Sequence, residues 1–470
     1  MIKNRILDQI LLFFPYKTTE EQRLALAEIS DFIFSDEEKI LLLKGYAGTG
    51  KTSLLGALVK ALNSLQQKTI LMAPTGRAAK VFSEYAGQKA FTIHKKIYRQ
   101  KEFSNELSGF TLAPNLHAHT LFIVDESSMI SNLSTGSYSF GSGCLLNDLM
   151  SYVFSGSCCK VILLGDTAQL PPVPEPESPA LNINYLHRYS LPIREINLTE
   201  VVRQDKESGI LFNATLIRES LRKAKCDLFP VIHLNPFSDV EKVSGEDFME
   251  AISAAYHRDG IDETIIICRS NKQAILYNNG IRNRILCREE EISSGDRLMV
   301  VKNNYSLTEQ HQEMDFIANG EMMEVARVRR TYNIYGCRFC DLLVRFRDYD
   351  LELEIRVLLD TLQDESPALS KEQNDKLFFH ILEDYADEPT KAGKIKKMKV
   401  DPFYNTVQIK YAYAVTCHKA QGGQWQNVFL DIGYLTQEML GENFYRWLYT
   451  AVTRATQRLY FVNLPKKMEK

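Results

Sequence analysis

Apolar runs of strand length recur along the first part of the chain, and each gives way to a polar or glycine-rich segment. Residues 40–43, Thr69–Ala73, Leu121–Val124 and 161–164 are almost wholly apolar. Strands buried on both faces read this way, whereas strands with one wet face alternate. Helical patterns lie between the runs. In residues 18–34, Leu24, Leu26, Ile29 and Phe32 recur near helical spacing after a Thr18-Thr19-Glu20-Glu21 start that resembles a capping box. A second helix is expected over about 51–65. The alternation predicts a parallel α/β sheet with functional loops at the strand carboxyl ends.

The pattern weakens after residue 170. Five prolines fall within 171–179, which predicts an irregular loop. Residues 246–256 read as a helix, Thr264–Cys268 as a buried strand and 271–285 as a helix, which together resemble a second α/β core. Shorter strands at 298–301, 322–328 and 340–346 predict a small β-rich unit. The stretch 348–399 is strongly charged, partly helical and reads as an insert. Strand character returns at 407–414 and 428–432, and a helix at 444–455.

Composition narrows the class. A chain of 470 residues corresponds to about three domains. With 45% hydrophobic and 24% charged residues it is neither disordered nor fibrous. No apolar run reaches the roughly 18 residues needed to span a bilayer, so no membrane partner is expected. Nine cysteines, an odd number, argue against a disulfide framework and for a reducing cytoplasm. Cys337 and Cys340 form a lone CxxC without the second pair a zinc ribbon needs, and read as strand cysteines. Net charge is −3, from 56 basic and 59 acidic residues, so any nucleic-acid site must be a local groove.

Candidate chemistry begins at Gly45-Tyr46-Ala47-Gly48-Thr49-Gly50-Lys51-Thr52, a complete GxxxxGK[ST] between strand and helix. Glycines let backbone N–H groups curl around phosphate oxygens, and the helix N-terminus adds positive potential. Gly45, Gly48, Thr49, Gly50, Lys51, Thr52 and Ser53 are the expected cradle for ATP, with Lys51 reaching the β and γ phosphates and Thr52 holding Mg2+. The strand Leu121–Val124 ends in Asp125, a second magnesium holder, and Glu126, a base for the attacking water. The run Gly165-Asp166-Thr167-Ala168-Gln169 supplies Gln169 as a candidate γ-phosphate sensor. Arg203 and Arg454 carry the planar donors that a transferring phosphoryl group needs, but a single helical arginine is usually a surface residue and neither stands out by itself.

Taken in order, these motifs resemble superfamily 1 helicases of the 5′→3′ branch, the RecD-like, Dda-like and Pif-type enzymes. The resemblance runs from Gln22 to about Val462. It includes Thr19-Glu20-Glu21-Gln22, Ala73-Pro74-Thr75-Gly76-Arg77, Thr92-Ile93-His94, Asp125-Glu126-Ser127-Ser128-Met129 and Val202-Arg203-Gln204. It closes with Thr416-Cys417-His418-Lys419-Ala420-Gln421-Gly422 and Tyr449-Thr450-Ala451-Val452-Thr453-Arg454. The resemblance implies two RecA-like domains with parallel sheets and ATP between them. The first is expected over 1–220, with a small hairpin pin inserted at about 95–120, and the second over 221–297 and 401–470. An SH3-like and helical subdomain is expected over 298–400. Gln22 is then expected to read the adenine edge, and Thr75, Arg77, Thr92, His94, Thr416, His418 and Lys419 to contact the nucleic-acid backbone. Phe103 or Phe110 is expected to stack on a terminal base pair. The implied activity is ATP-driven movement along single-stranded DNA with unwinding at duplex junctions, by a chain functional as a monomer. Rival readings are an RNA-directed helicase, a nucleic-acid-stimulated ATPase that does not unwind, and a P-loop switch protein.

Overall fold

The computed structural model describes residues 2–100, 110–133, 141–201, 208–304, 317–346 and 351–470. Six parallel strands form the first sheet, in the order Ala90–Thr92, Thr69–Ala73, Leu121–Val124, Lys160–Gly165, Ile40–Gly45, Ile193–Leu198. Side chains on a strand alternate between faces. Accordingly Leu41 and Leu43 pack with Leu26, Ile29, Leu54 and Leu58, on helices Glu20–Phe34 and Lys51–Ser64. Ile40 and Leu42 pack on the other side with Leu146, Leu149 and Val153 of helix Leu145–Ser155. Both faces being covered explains the unbroken apolar runs. The expected capping box is present: Thr19 accepts from the Gln22 backbone, and the Gln22 side chain accepts from that of Thr19.

A second parallel sheet orders its strands Ala414–Thr416, Thr264–Cys268, Trp425–Asp431, Ala455–Val462, Val240–Val243. Beside it a closed five-stranded barrel joins Arg297–Val300, Met322–Ile334, Cys337–Phe346, Leu351–Leu358 and Val407–Tyr411. Ile266, Phe429 and Tyr460 of the sheet share one core with Leu298, Met323 and Val344 of the barrel, so the two are built as one body. Asp296, with no exposure, ties them further. It takes both donors of Arg282 at 3.0 Å, Arg288 at 2.6 Å and the Tyr413 hydroxyl at 2.9 Å.

Two expectations shift. The charged stretch after residue 348 begins with a barrel strand, Leu351–Leu358, in which Leu353, Ile355 and Val357 point inward and Glu352, Glu354 and Arg356 do not. Only beyond it do helices Lys371–Glu383 and Lys391–Lys399 pack, around Phe339, Leu377, Ile381 and Met398. Helix Gly209–Arg222, inside the span expected for the first domain, buries Ile210, Ala214 and Ile217 against the second lobe's Tyr445, Leu448 and Tyr449. The strands Tyr98–Gln100 and Phe110–Leu112 pair antiparallel, at the place expected for the pin. All nine cysteines are free thiols, Cys337 and Cys340 on a barrel strand. Among the described residues no helix is long and apolar enough to cross a membrane.

Candidate nucleotide and strand sites

Three neighbouring strands of the first sheet end at the same edge, in Gly45, Val124 and Gly165, and their following loops form one floor. After Gly45 the chain turns through Gly48 and Gly50, whose φ angles of +82° and +81° are left-handed. A side chain at Gly50 would also collide with Gln22, since a Cβ there would lie 2.5 Å from its Nε2. Helix Lys51–Ser64 starts directly from this turn, with Thr52 and Ser53 in its first turn and Thr52 exposed. Lys51 Nζ donates to the carbonyls of Gly45 at 2.6 Å and Tyr46 at 2.8 Å, so it lies along the inside of its own loop. Gln22 is only 1% exposed. Its Oε1 accepts from Thr19 N–H at 3.1 Å and its Nε2 donates to Thr49 O at 3.0 Å. In this conformation the amide expected to read adenine is bound to the loop itself.

Asp125 accepts from the Glu126 backbone N–H at 2.8 Å and from the Tyr85 hydroxyl. Both partners are donors, so the carboxylate stays an acceptor with lone pairs left over. Burial and then the Asp125 charge hold the Tyr85 phenol well above its usual range. Glu126 adopts a left-handed φ of 51°, uncommon for a residue with a Cβ. Burial raises its carboxyl, Arg454 pulls it back down, and Asp125 raises it again. Gln169 is 6% exposed and its Oε1 has no hydrogen-bond partner among the described residues.

The second lobe reaches over this floor. Arg454, 3% exposed, donates to Thr450 O at 3.0 Å and Gly423 O at 3.3 Å, and lies near enough to Glu126 to act on its charge. Arg203 lies outside the described residues. Sequence reading missed several cleft residues. Arg218, 8% exposed, sits 4.6 Å over the Tyr46 ring, and Arg446, Tyr449 and Thr450 bond the first lobe's loops. Arg446, Tyr449 and Thr450 lie at i, i+3 and i+4 on helix Glu442–Val452, a spacing that groups them on one face without naming a partner.

The expected strand contacts are less uniform. Thr75 caps helix Gly76–Ala86 by accepting from Ala78 N–H at 3.2 Å, and Thr92 caps helix Ile93–Ile97 by accepting from Lys95 N–H at 3.1 Å. Each hydroxyl keeps its proton to donate. A Cβ on Gly422 would lie 3.1 Å from Thr75 Oγ1, so the two lobes' motifs face each other. His418 is exposed, while Thr416 and Lys419 are half-buried. Lys419 donates to Asn319 of the barrel turn; burial, with Lys410 adding, brings its ammonium down to about 8. The His94 ring lies 5.7 Å from that of Tyr98, tilted by 39°, and burial lowers its imidazole to about 4. Two expectations need correcting. Arg77 turns across the lobe interface, with Nη2 donating to Gln424 O at 2.9 Å and its guanidinium 4.2 Å over the Trp425 ring. Phe110 is 9% exposed and packs in the core with Ile97, Tyr98 and Leu149, because its strand turns it onto helix Leu145–Ser155; it is no exposed wedge. Phe103 lies outside the described residues.

The chain is similar to several known proteins. The AAA domain model matches residues 17–227 and the UvrD-like helicase C-terminal domain model matches residues 411–462. The chain is 24% identical to the ATP-dependent DNA helicase dda of Enterobacteria phage T4, over 89% of this chain and 93% of that one. It is 24% identical to the ATP-dependent RecD2 DNA helicase of Deinococcus radiodurans over 90% of its own length, which is 46% of that relative's. A solved structure of a Pif1 helicase from Bacteroides in complex with ADP-AlF3 and ssDNA aligns over 97% of this chain and 95% of that one, with 16% identity and a TM-score of 0.48.

Proposed function

We propose, from the premise that the chain belongs to the superfamily 1B helicases, that it is an ATP-driven DNA helicase. It moves 5′→3′ on single-stranded DNA and separates duplex at junctions, acting as a monomer. One observation carries the reading: Arg454 of the second lobe is buried at the lobe interface within electrostatic reach of Glu126 on the first. A site completed from two bodies makes hydrolysis and lobe movement one event.

The residues divide the work. The Gly45–Thr52 loop and the start of the Lys51–Ser64 helix bind the phosphates. Lys51 leaves its carbonyl partners to neutralise the β and γ oxygens. The oxygen donors of Thr52 and Asp125 suit magnesium, a hard cation, and would hold it. When bound, the ion would neutralise phosphate charge. Glu126 accepts the proton of the attacking water, its raised carboxyl favouring proton uptake. Gln169 orients that water through its unpartnered Oε1, or donates from its Nε2 to the γ-phosphate. Arg454, with Arg203, stabilises the charge of the transferring group. On the other edge Thr75, Thr92, Thr416, His418 and Lys419 hold the strand through its phosphates, so grip is independent of sequence and falls with salt.

Forked substrates with a 5′ or a 3′ single-stranded tail test this. Unwinding with ATP is expected from the 5′ tail only; unwinding from the 3′ tail, or ATP turnover indifferent to DNA, would overturn it. RNA strands of matched sequence separate the RNA-directed rival.

A further inference from the structure

Helix Glu442–Val452 belongs to the second lobe, yet its polar stripe is spent on a loop of the first. Arg446 donates to the carbonyls of Thr167 and, at 3.3 Å, Gln169. Thr450 Oγ1 accepts from Leu170 N–H at 2.8 Å, and Gln421 Nε2 donates to Leu170 O at 2.8 Å. The loop after strand Lys160–Gly165 is therefore clasped from the second lobe along its whole length. Tyr449, 1% exposed, goes one step further. Its hydroxyl accepts from Ala47 N–H of the phosphate loop at 2.9 Å and donates to Asp166 Oδ2 at 2.7 Å. The other Asp166 oxygen accepts from Ala168 N–H at 2.9 Å. One phenol thus spans the loop that cradles phosphate and the loop that carries Gln169.

We infer that the Tyr449 hydroxyl is a positioning group that sets the phosphate loop and the Gln169 loop in register only while the lobes are together. The inference rests on the nucleotide-site reading above. Neither bond can exist with the lobes apart, since the phenol and its two partners belong to different bodies. Cleft opening hands Ala47 N–H and the Asp166 carboxylate to water and frees both loops. Closing restores one geometry, because a buried donor and a buried carboxylate left unpaired are costly. Lobe closure is converted by this bond into an ordered active site. Burial, then Asp166, holds the phenol well above its ordinary range, so it remains a donor at every working pH.

The test is ATP turnover of Tyr449→Phe with saturating oligo(dT), against wild type and Thr450→Val. The first variant removes one oxygen and the link to the phosphate loop. The second removes a bond from the same helix to the Gln169 loop alone. Tyr449→Phe is expected to lower strand-stimulated kcat about tenfold, the equivalent of roughly 1.4 kcal/mol, with KM for ATP moving less than about threefold. Thr450→Val is expected to lose less than about threefold in kcat. Unchanged kcat in Tyr449→Phe, a rise in KM alone, or equal losses in the two variants would overturn the inference. Wild-type turnover that ignores oligo(dT) would instead overturn the functional reading on which it stands.

Discussion

The nucleotide cleft and the strand-side edge are built from the same two lobes by different rules. In the cleft, polar groups converge from both bodies and are buried where they meet: Tyr449 on Ala47 and Asp166, Thr450 on Leu170, Arg454 beside Glu126. At the strand-side edge, Thr75 and Thr92 are fixed by their own helices and His418 is exposed. Phosphoryl transfer needs a handful of groups held to fractions of an ångström, and only burial and mutual bonding supply that. Gripping a moving polymer needs contacts that let go, and donors each supported by its own helix would supply those.

The difference can be broken at its strongest point first. Arg454→Ala should lower strand-stimulated kcat by about 10³-fold or more, while fluorescent ATP still binds. A loss of a few-fold would place Arg454 outside the reaction. Glu126→Gln should cost about 10²–10⁴ in the hydrolysis step, read as a lost burst of phosphate under single-turnover conditions. Asp296→Ala should destabilise the second lobe by about 3–5 kcal/mol in urea unfolding, because it strands the buried Arg282 and the Arg288 facing it. Full stability would mean that the barrel does not depend on that anchor.

The strand side should respond in smaller, graded steps. Lys419→Ala should cut the salt dependence of single-strand affinity by roughly one unit of slope without abolishing turnover. Its pH dependence has a definite sign. Burial brings the ammonium down to about 8, so its charge, and with it the phosphate contact proposed for it, is present at pH 7 and is lost as pH rises past 8. Affinity should therefore fall by a few-fold between pH 7 and 9 in wild type, and stay flat in Lys419→Arg. His94, at about 4, is neutral across that window and contributes no step.

What the chain revealed in advance follows the same division. The phosphate loop, Asp125 and Glu126 were legible because backbone geometry and paired carboxylates demand particular residues at fixed spacing. The first sheet was legible because its strands are apolar on both faces. Leu351–Leu358 was hidden although its alternation is regular, since its outward Glu and Arg residues made the segment read as charged rather than half-buried. Tyr449 and Arg218 were hidden for another reason: their partners are remote in sequence, and no local period marks a contact between lobes. Phe110 misled because an aromatic beside basic residues reads equally well as a base-stacking group or as core, and packing on Leu149 decides for core.

The central claim is that the triphosphate draws the two lobes together, and the distance between them measures it directly. With the exposed Cys158 and Cys287 replaced by serine, labels at Leu24→Cys on the first lobe and Leu276→Cys on the second, both exposed sites, report that distance by double electron–electron resonance. The account predicts a shorter distance with a non-hydrolysable ATP analogue than with ADP or no nucleotide. One unchanging distance in all three states would contradict it.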